Sequence, residues 1–461
     1  MKSIGLGRLA GVFLAAAITL GPLAAAAPAF AQIAPATNEA TAPAADSPAA
    51  MAAPAAPADA KAAIKAPEKT INKGDTAWML ISSALVLVMT VPGLALFYGG
   101  LVRQKNMLAM LMKVSVVTII GMLAWAFWGY SLAFTDGGAH DQVFGGFSRL
   151  FMAGLDGQKG MDMTSAVSAT FSTGVYIPEI VYFCFQMTFA AITAALVVGS
   201  LAERVKFSAI CVFAVLWPLI VYYPMAHMVW WWPGPDATAT GATGGGFIFQ
   251  HGGIDFAGGS VVHINAGIAA LIGCLVLGKR KGYGTEAMPP HSLVMSLIGT
   301  GLLWFGWFGF NAGSNLEANS YAGLAMANTF LATAAAAFSW MITEWLVRGK
   351  PTMLGLASGA VAGLVAVTPA SGFAGPMGAI VLGLVVSPIC VFFCSYVKNL
   401  FKYDDSLDVF GVHGVGGMVG AIGTGIAVNP ALGGAGIVDY ANCVKDGAVL
   451  GTCPTAPYSL S

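Results

Sequence analysis

The sequence predicts an all-α polytopic membrane protein made of two inverted five-helix repeats. Three observations carry this expectation. Of 461 residues, 57% are hydrophobic and 9% charged, too little charge to cover a soluble domain. Between residues 76 and 428, ten apolar runs follow one another, each near the length of about 17–25 residues that crosses a bilayer as a helix. Lysine and arginine also alternate between successive loops, as the preference of positive charge for the inner face requires.

The N-terminus comes first. Lys2 and Arg8 flank an apolar run, 9–20, and Ala29-Phe30-Ala31 offers small residues for cleavage. This reads as a secretory signal peptide at 1–31, whose removal leaves the mature N-terminus outside. Residues 32–73 are rich in Ala and Pro and read as a flexible linker without a fold of its own. The membrane domain is expected at 74–428 and a short periplasmic tail at 429–461.

The ten spans are expected near 76–98, 112–134, 176–200, 207–228, 256–277, 291–311, 321–346, 353–371, 376–399 and 408–428. Small residues such as Gly359, Gly363 and Gly372 let helix backbones approach closely in lipid. One set of loops holds Arg103, Lys105, Lys113, Arg204, Lys206, Lys279, Arg280, Lys281, Arg348, Lys350, Lys398 and Lys402, whereas the intervening loops and the tail hold Arg149, Lys159 and Lys445. Twelve basic residues against three place both termini on the outer side of the membrane. Net charge is zero, which argues against a nucleic-acid partner.

Cys184, Cys211, Cys274, Cys390 and Cys394 lie in apolar runs and read as small core residues. Cys443 and Cys453 lie in the polar tail and can pair if it is periplasmic. No metal-type spacing links any cysteine to a histidine.

Two histidines stand out. His263 lies inside the fifth span and His413 inside the tenth, 150 residues apart, each in a Val-His pair with glycine four residues beyond. An ionisable group at membrane depth costs about 3 kcal/mol or more when charged, so it usually faces a cavity and has a task. The fifth span starts outside and the tenth inside, as an inverted-topology repeat demands. A lone buried histidine is usually satisfied by a backbone carbonyl, but two at related positions in two half-repeats point to a shared role. Two ligands without a third are too few for a structural zinc site, and no metal or cofactor is expected. Asp255, just before the fifth span, is suited to cap its first turn and to bias the local field. Glu203 and Arg204 read as a charged loop pair. His140, His227, His251 and His291 are assigned nothing.

Seven stretches resemble, in order, the ammonium transporter family (Amt/Mep/Rh), bacterial Amt type: Val91–Arg103 (VPGLALFYGGLVR), Phe185–Ala190 (FQMTFA), Ala202–Arg204 (AER), Ala226–Trp230 (AHMVW), Asp255–Gly267 (DFAGGSVVHINAG), Trp307–Ser314 (WFGFNAGS) and Asp408–Gly414 (DVFGVHG). The resemblance implies a homotrimer in membrane lipid, with one narrow pore per subunit. It also implies site residues at matching positions. Phe185, Phe189, Trp230 and Ser314 resemble an outer ammonium-recruiting site. Phe189 and Phe310 resemble the stacked pair that closes the pore beneath it. His263 and His413 resemble the twin histidines of the conduit, Asp255 the acidic residue near the outer site, and Trp307 an aromatic beside the pore. Family members of this type carry an eleventh span and a cytoplasmic tail that couples to a PII-type regulator. No apolar run of spanning length follows residue 428 here, so coupling to a PII-type regulator finds no matching residues.

The chemistry suits the cargo. Ammonium and potassium are alike in size and charge, but only ammonium donates hydrogen bonds and releases a proton. Ring faces such as those of Phe185, Phe189 and Trp230 each contribute roughly 0.5–2 kcal/mol to a partly desolvated cation, and the Ser314 hydroxyl accepts a hydrogen bond. A phenyl plug bars a bare cation, whose desolvation costs several kcal/mol, yet passes neutral ammonia. Deprotonation therefore selects, and paired imidazoles can accept and pass on the proton. The alternative is an ammonium sensor that signals through a partner protein. An intramembrane enzyme is disfavoured, because neither Gly-x-Ser-x-Gly nor His-Glu-x-x-His occurs.

Overall fold

The structure is a computed structural model, and it describes residues 64–155, 166–456 and 458. The signal peptide expected at 1–31 and the linker stretch 32–63 lie outside the described residues.

Among the described residues, ten helices are long and apolar enough to cross a membrane: Lys73–Leu101, Gln104–Phe134, Glu179–Ser200, Phe207–Trp230, Gly259–Leu277, Leu293–Gly313, Ser320–Arg348, Met353–Ala370, Pro376–Phe401 and Phe410–Ala427. Their starts follow local chemistry. Asn72 caps the first span by accepting the Gly74 and Asp75 N–H groups, and Ser292, Asn319 and Thr352 cap the sixth, seventh and eighth in the same way. The second span starts eight residues before the expected 112, because its first turns carry Gln104, Lys105 and Asn106 and give no apolar signal. Hydroxyls inside the spans return their hydrogens to the preceding turn, as Thr118 does to Val114 and Thr300 to Ser296, which removes unsatisfied donors from the apolar phase.

The two halves repeat in burial as well as in sequence. In the third and eighth spans 78% of the apolar window is buried, against 33% in the second and fourth. Spans three and eight, five positions apart in the order, are therefore the central helices of their halves. The seventh span packs against the eighth and ninth through glycine. A Cβ on Gly363 or Gly383 would meet the Ala332 carbonyl at 2.6 or 2.3 Å, so these contacts need the missing side chain.

Short strands build the face on which the third span begins. β1 (Thr70–Ile71) pairs in parallel with β3 (Val175–Pro178), and β2 (Val167–Ala169) pairs antiparallel with β3. The stretch without a fold expected at 32–73 thus ends earlier, because residues 70–72 supply backbone partners to Gly174 and Tyr176. Beyond the tenth span, β4 (Ile437–Val438) pairs with β7 (Thr455–Ala456), and β5 (Val444–Lys445) pairs with β6 (Ala448–Val449). Cys443 and Cys453 are joined by a disulfide.

Candidate functional site

The site is a column of rings between the two halves. At its outer end, on the third span, Phe185 and Phe189 are one helical turn apart, with ring centroids 4.9 Å apart. Trp230, the last residue of the fourth span, meets Phe189 edge-on at 5.8 Å and 80°. Its indole N–H donates to the Asp255 carbonyl at 2.8 Å, which fixes the ring. Ser314 follows the sixth span, and its hydroxyl hydrogen goes to the Phe310 carbonyl at 2.8 Å. The Ser314 oxygen is thereby left to accept, which suits a cationic N–H donor.

Asp255 organises the start of the fifth span. One carboxylate oxygen accepts the Gly258 and Gly259 N–H groups at 2.8 and 2.7 Å, and the other accepts the Ser260 N–H and hydroxyl at 2.7 Å and the Val261 N–H at 3.2 Å. Five donors to one carboxylate make a helix cap. Gly258 permits the turn with φ 114°, a conformation that a side chain would strain.

Below this level Phe189 and Phe310 lie face to face, 4.0 Å apart and 14° from parallel, and both are fully buried. Beneath Phe310, His263 stacks on Trp307 at 5.3 Å and 18°. The Nδ1 atoms of His263 and His413 are 3.2 Å apart, so one ring donates and the other accepts. The Nε2 of His263 is buried without a protein partner. Apolar side chains, among them Leu196, Val262 and Leu303, line the narrow cavity around the two rings. All nine residues singled out in the sequence thus fall in or beside one column. Asp255 stands at its edge as a cap, and its carboxylate is spent on four backbone N–H groups and the Ser260 hydroxyl.

Some polar residues escaped the sequence reading. The Trp307 indole donates to Thr368 at 2.9 Å, the Thr368 hydroxyl donates to Leu364, and the Asn311 amide donates to Thr329 at 2.9 Å. The Thr368 contact holds the ring that supports His263. Its signal was present, since Asn311 and Thr368 are polar side chains inside apolar runs.

The expected Glu203–Arg204 loop pair is corrected by the structure, because each residue turns to a different partner. Glu203 binds Arg103 at 2.8 Å and Arg280 at 3.2 Å, while Arg204 binds Asp404 at 2.8 Å. Asp404 also takes Arg280 at 2.8 Å. Four loops between spans are joined this way, with both carboxylate side chains buried. Burial alone would raise the Glu203 pKa, but hydrogen bonds from Arg103 and Asn106 and the charge of Arg103 outweigh it and hold the carboxyl at about 2. Asp404 is likewise held below its ordinary range, where burial is outweighed by Arg280 and then Arg204. Among the described residues, no group of three or more His, Cys, Asp or Glu side chains is placed to hold a metal ion.

The model of the Ammonium Transporter Family matches residues 77–449. An ammonium transporter of Aquifex aeolicus is 48% identical over 376 residues, covering 81% of this chain and 82% of that protein. An ammonium transporter of Bacillus subtilis is 44% identical over 366 residues, covering 79% and 82%. The crystal structure of Saccharomyces cerevisiae Mep2 is similar with TM-score 0.66 and 34% identity, covering 77% of this chain and 76% of that one. A structure titled Sensor Amt Protein is similar with TM-score 0.68 and 26% identity, covering 78% and 84%.

Proposed function

The chain belongs to the ammonium transporter family, a non-enzymatic family of multi-pass membrane transporters, and from that premise we propose how it selects and moves its cargo. Ammonium is recruited between Trp230, Phe185 and Phe189, with an N–H donated to the Ser314 oxygen. The rings attract the cation through their faces and displace water that potassium cannot exchange for hydrogen bonds. The proton then leaves the nitrogen, and neutral ammonia slips past Phe189 and Phe310 into the apolar cavity.

The observation that carries this reading is the 3.2 Å contact between His263 Nδ1 and His413 Nδ1 directly below the phenyl pair. With one hydrogen shared between the two Nδ1 atoms, one Nε2 carries a hydrogen and the other offers a lone pair. A proton that binds the free Nε2 shifts the Nδ1 hydrogen to the partner ring and releases the hydrogen on the far Nε2. The N–H bonds made and broken balance, so the pair can relay a proton beside ammonia, and the same geometry serves if ammonia passes alone.

Subunits are proposed to assemble as a homotrimer in the inner membrane, with the recruiting site facing out. A second reading, an ammonium sensor that signals through a partner, draws on the likeness to the Sensor Amt structure. Methylammonium uptake in a transport-deficient host separates the two. Uptake that His263→Ala abolishes is expected; wild-type chain in the membrane without uptake favours the sensor, and full uptake by His263→Ala ends the relay reading.

A further inference from the structure

Among the described residues, the segment after the tenth span does not line the cavity around the two histidines, yet it is fastened to the loop that precedes the third span. The Cys443–Cys453 disulfide closes a hairpin in which β5 and β6 pair across Asp446 and Gly447. Both turn residues have positive φ, 53° and 77°, as a two-residue primed turn needs. Three fastenings bind this segment to the loop before β3. The Thr173 hydroxyl donates to the Leu450 carbonyl at 2.7 Å, and the Tyr440 hydroxyl donates to the Phe171 carbonyl at 2.6 Å. The Trp232 ring lies 5.3 Å from Tyr440 and 6.2 Å from Phe171.

The other side of that loop is bound to Glu317, which lies close to Ser314 in the chain. The Phe171 N–H, the Ser172 N–H and the Ser172 hydroxyl donate to the Glu317 carboxylate at 3.1, 2.8 and 2.8 Å. Glu317 follows Ser314 by three residues, and Trp232 follows Trp230 by two. The loop also leads through β3 into the span that carries Phe185 and Phe189. A path of hydrogen bonds and ring contacts therefore runs from the disulfide segment to Glu317 and Trp232, and the backbone carries it on to Ser314, Trp230 and the third span.

We propose that the disulfide-closed hairpin is a positioning element for the outer cation site, with Tyr440 and Thr173 as its points of attachment. This rests on the reading of Phe185, Trp230 and Ser314 as the recruiting site. With the hairpin closed, the loop is pressed against Glu317 and Trp232, and the serine oxygen and the indole hold their spacing. With the disulfide opened, the loop loses its outer support and recruitment weakens, while the conduit below is untouched. Opening needs two electrons. A charged, membrane-impermeant phosphine supplies them, so that the S–S bond breaks, two thiols form and the phosphine takes oxygen from water. Cys453 is half-exposed, which gives the reagent a sulfur to attack.

The test uses folded wild-type chain in right-side-out proteoliposomes, so a failure to fold does not enter. Methylammonium transport is measured against concentration before and after the phosphine, and an impermeant maleimide reports the freed thiols against a Cys443→Ala/Cys453→Ala control. The expected result is a KM about three- to tenfold higher, the loss of roughly one well-placed hydrogen bond, with maximal flux unchanged. Tyr440→Phe, with its disulfide intact, shifts KM in the same direction. An unchanged KM with both thiols labelled overturns the proposal, as does a loss of maximal flux at constant KM. Trp230→Leu in the same vesicles keeps the two ideas apart. If it raises KM and reduction does not, the hairpin proposal alone fails; if it leaves KM unchanged, the recruiting site itself is misplaced and the hairpin has nothing to position.

Discussion

His263 and His413 come from the last spans of the chain's two inverted halves, 150 residues apart, yet their Nδ1 atoms stand 3.2 Å apart with the rings 24° from parallel. Each histidine sits just inside the start of its span, and the two spans cross where the histidines lie. The first part of each span packs on the helical continuation of the other. The inverted repeat thus supplies two imidazoles to one point from one pattern of sequence. Trp307 then fixes the plane of His263 from the side, itself tied to Thr368.

A proton relay through this pair has a sharp consequence. His413→Gln keeps a polar side chain of similar reach, but an amide does not bind and release a proton at neutral pH. Proton-coupled current on a supported membrane is expected to fall about a hundredfold, in the range that a lost acid–base group costs, with the protein still folded by thermal unfolding. Wild-type current in a folded His413→Gln protein would show that the proton takes another route.

The phenyl pair makes a separate prediction. Phe189 and Phe310 are fully buried and in face-to-face contact, so Phe310→Ala leaves a void against Phe189, His263 and Trp307. Truncating a buried phenylalanine costs about 3–5 kcal/mol, and here the void joins the outer site to the cavity below. Tracer rubidium flux into vesicles should rise above the wild-type background while ammonium still passes. A variant that stays as tight to rubidium as the wild type would mean that the barrier lies elsewhere.

These two sites were legible in the sequence for different reasons than the ones that hold them in place. The spans were readable because apolar runs are long and loop charge alternates, and the histidines because an ionisable side chain is rare at that depth. What stayed hidden depends on which loops meet. Glu203 and Arg204 are neighbours in the chain, and pairing them was the obvious guess. Their real partners, Arg103, Arg280 and Asp404, are up to 200 residues away. Likewise Asp255 was readable as a cap from its place before a glycine-rich helix start, but not as the residue whose carbonyl also holds the Trp230 indole. Cys443 and Cys453 were readable as a pair, and the fastening of their segment through Thr173 and Tyr440 to the loop before the third span was not.

The inner network predicts a pH dependence with a definite sign. The Glu203 carboxyl is held at about 2 in the folded protein, below its ordinary value, so the unfolded chain binds its proton first as pH falls. Its stabilising contribution is fully present above the ordinary carboxylate range and is lost progressively as pH drops through that range toward 2. Glu203→Gln removes this dependence, and it leaves Arg103 and Arg280 facing an uncharged amide. Breaking a buried pair by removing one partner costs about 3–5 kcal/mol. Thermal unfolding of wild type and variant in detergent should therefore differ most at neutral pH and converge in acid. A constant gap at every pH would rule Glu203 out as the titrating group.

The crossing of the fifth and tenth spans gives the most discriminating variant pair. Gly267 and Gly417 occupy the same place in the repeat, four residues after each histidine, and the sequence alone treats them as equivalent. The structure does not. A Cβ on Gly267 would lie 2.2 Å from the Gly414 Cα and 2.3 Å from its nitrogen, all backbone that cannot rotate away. A Cβ on Gly417 would meet the Gly259 carbonyl oxygen and the Ile264 Cγ1 at 3.0 Å and the Ile264 nitrogen at 3.1 Å, each a crowding that needs a shift of only a few tenths of an ångström. Gly267→Ala must part the two helices by about 1 Å, and a displacement of that size at reacting groups can cost about a hundredfold in rate. It is expected to lower both the unfolding temperature and ammonium flux, because the imidazoles separate with the helices that carry them. Gly417→Ala should keep most of both. Equal losses in the two variants, or the reverse order, would mean that the histidine contact does not depend on how closely these spans cross.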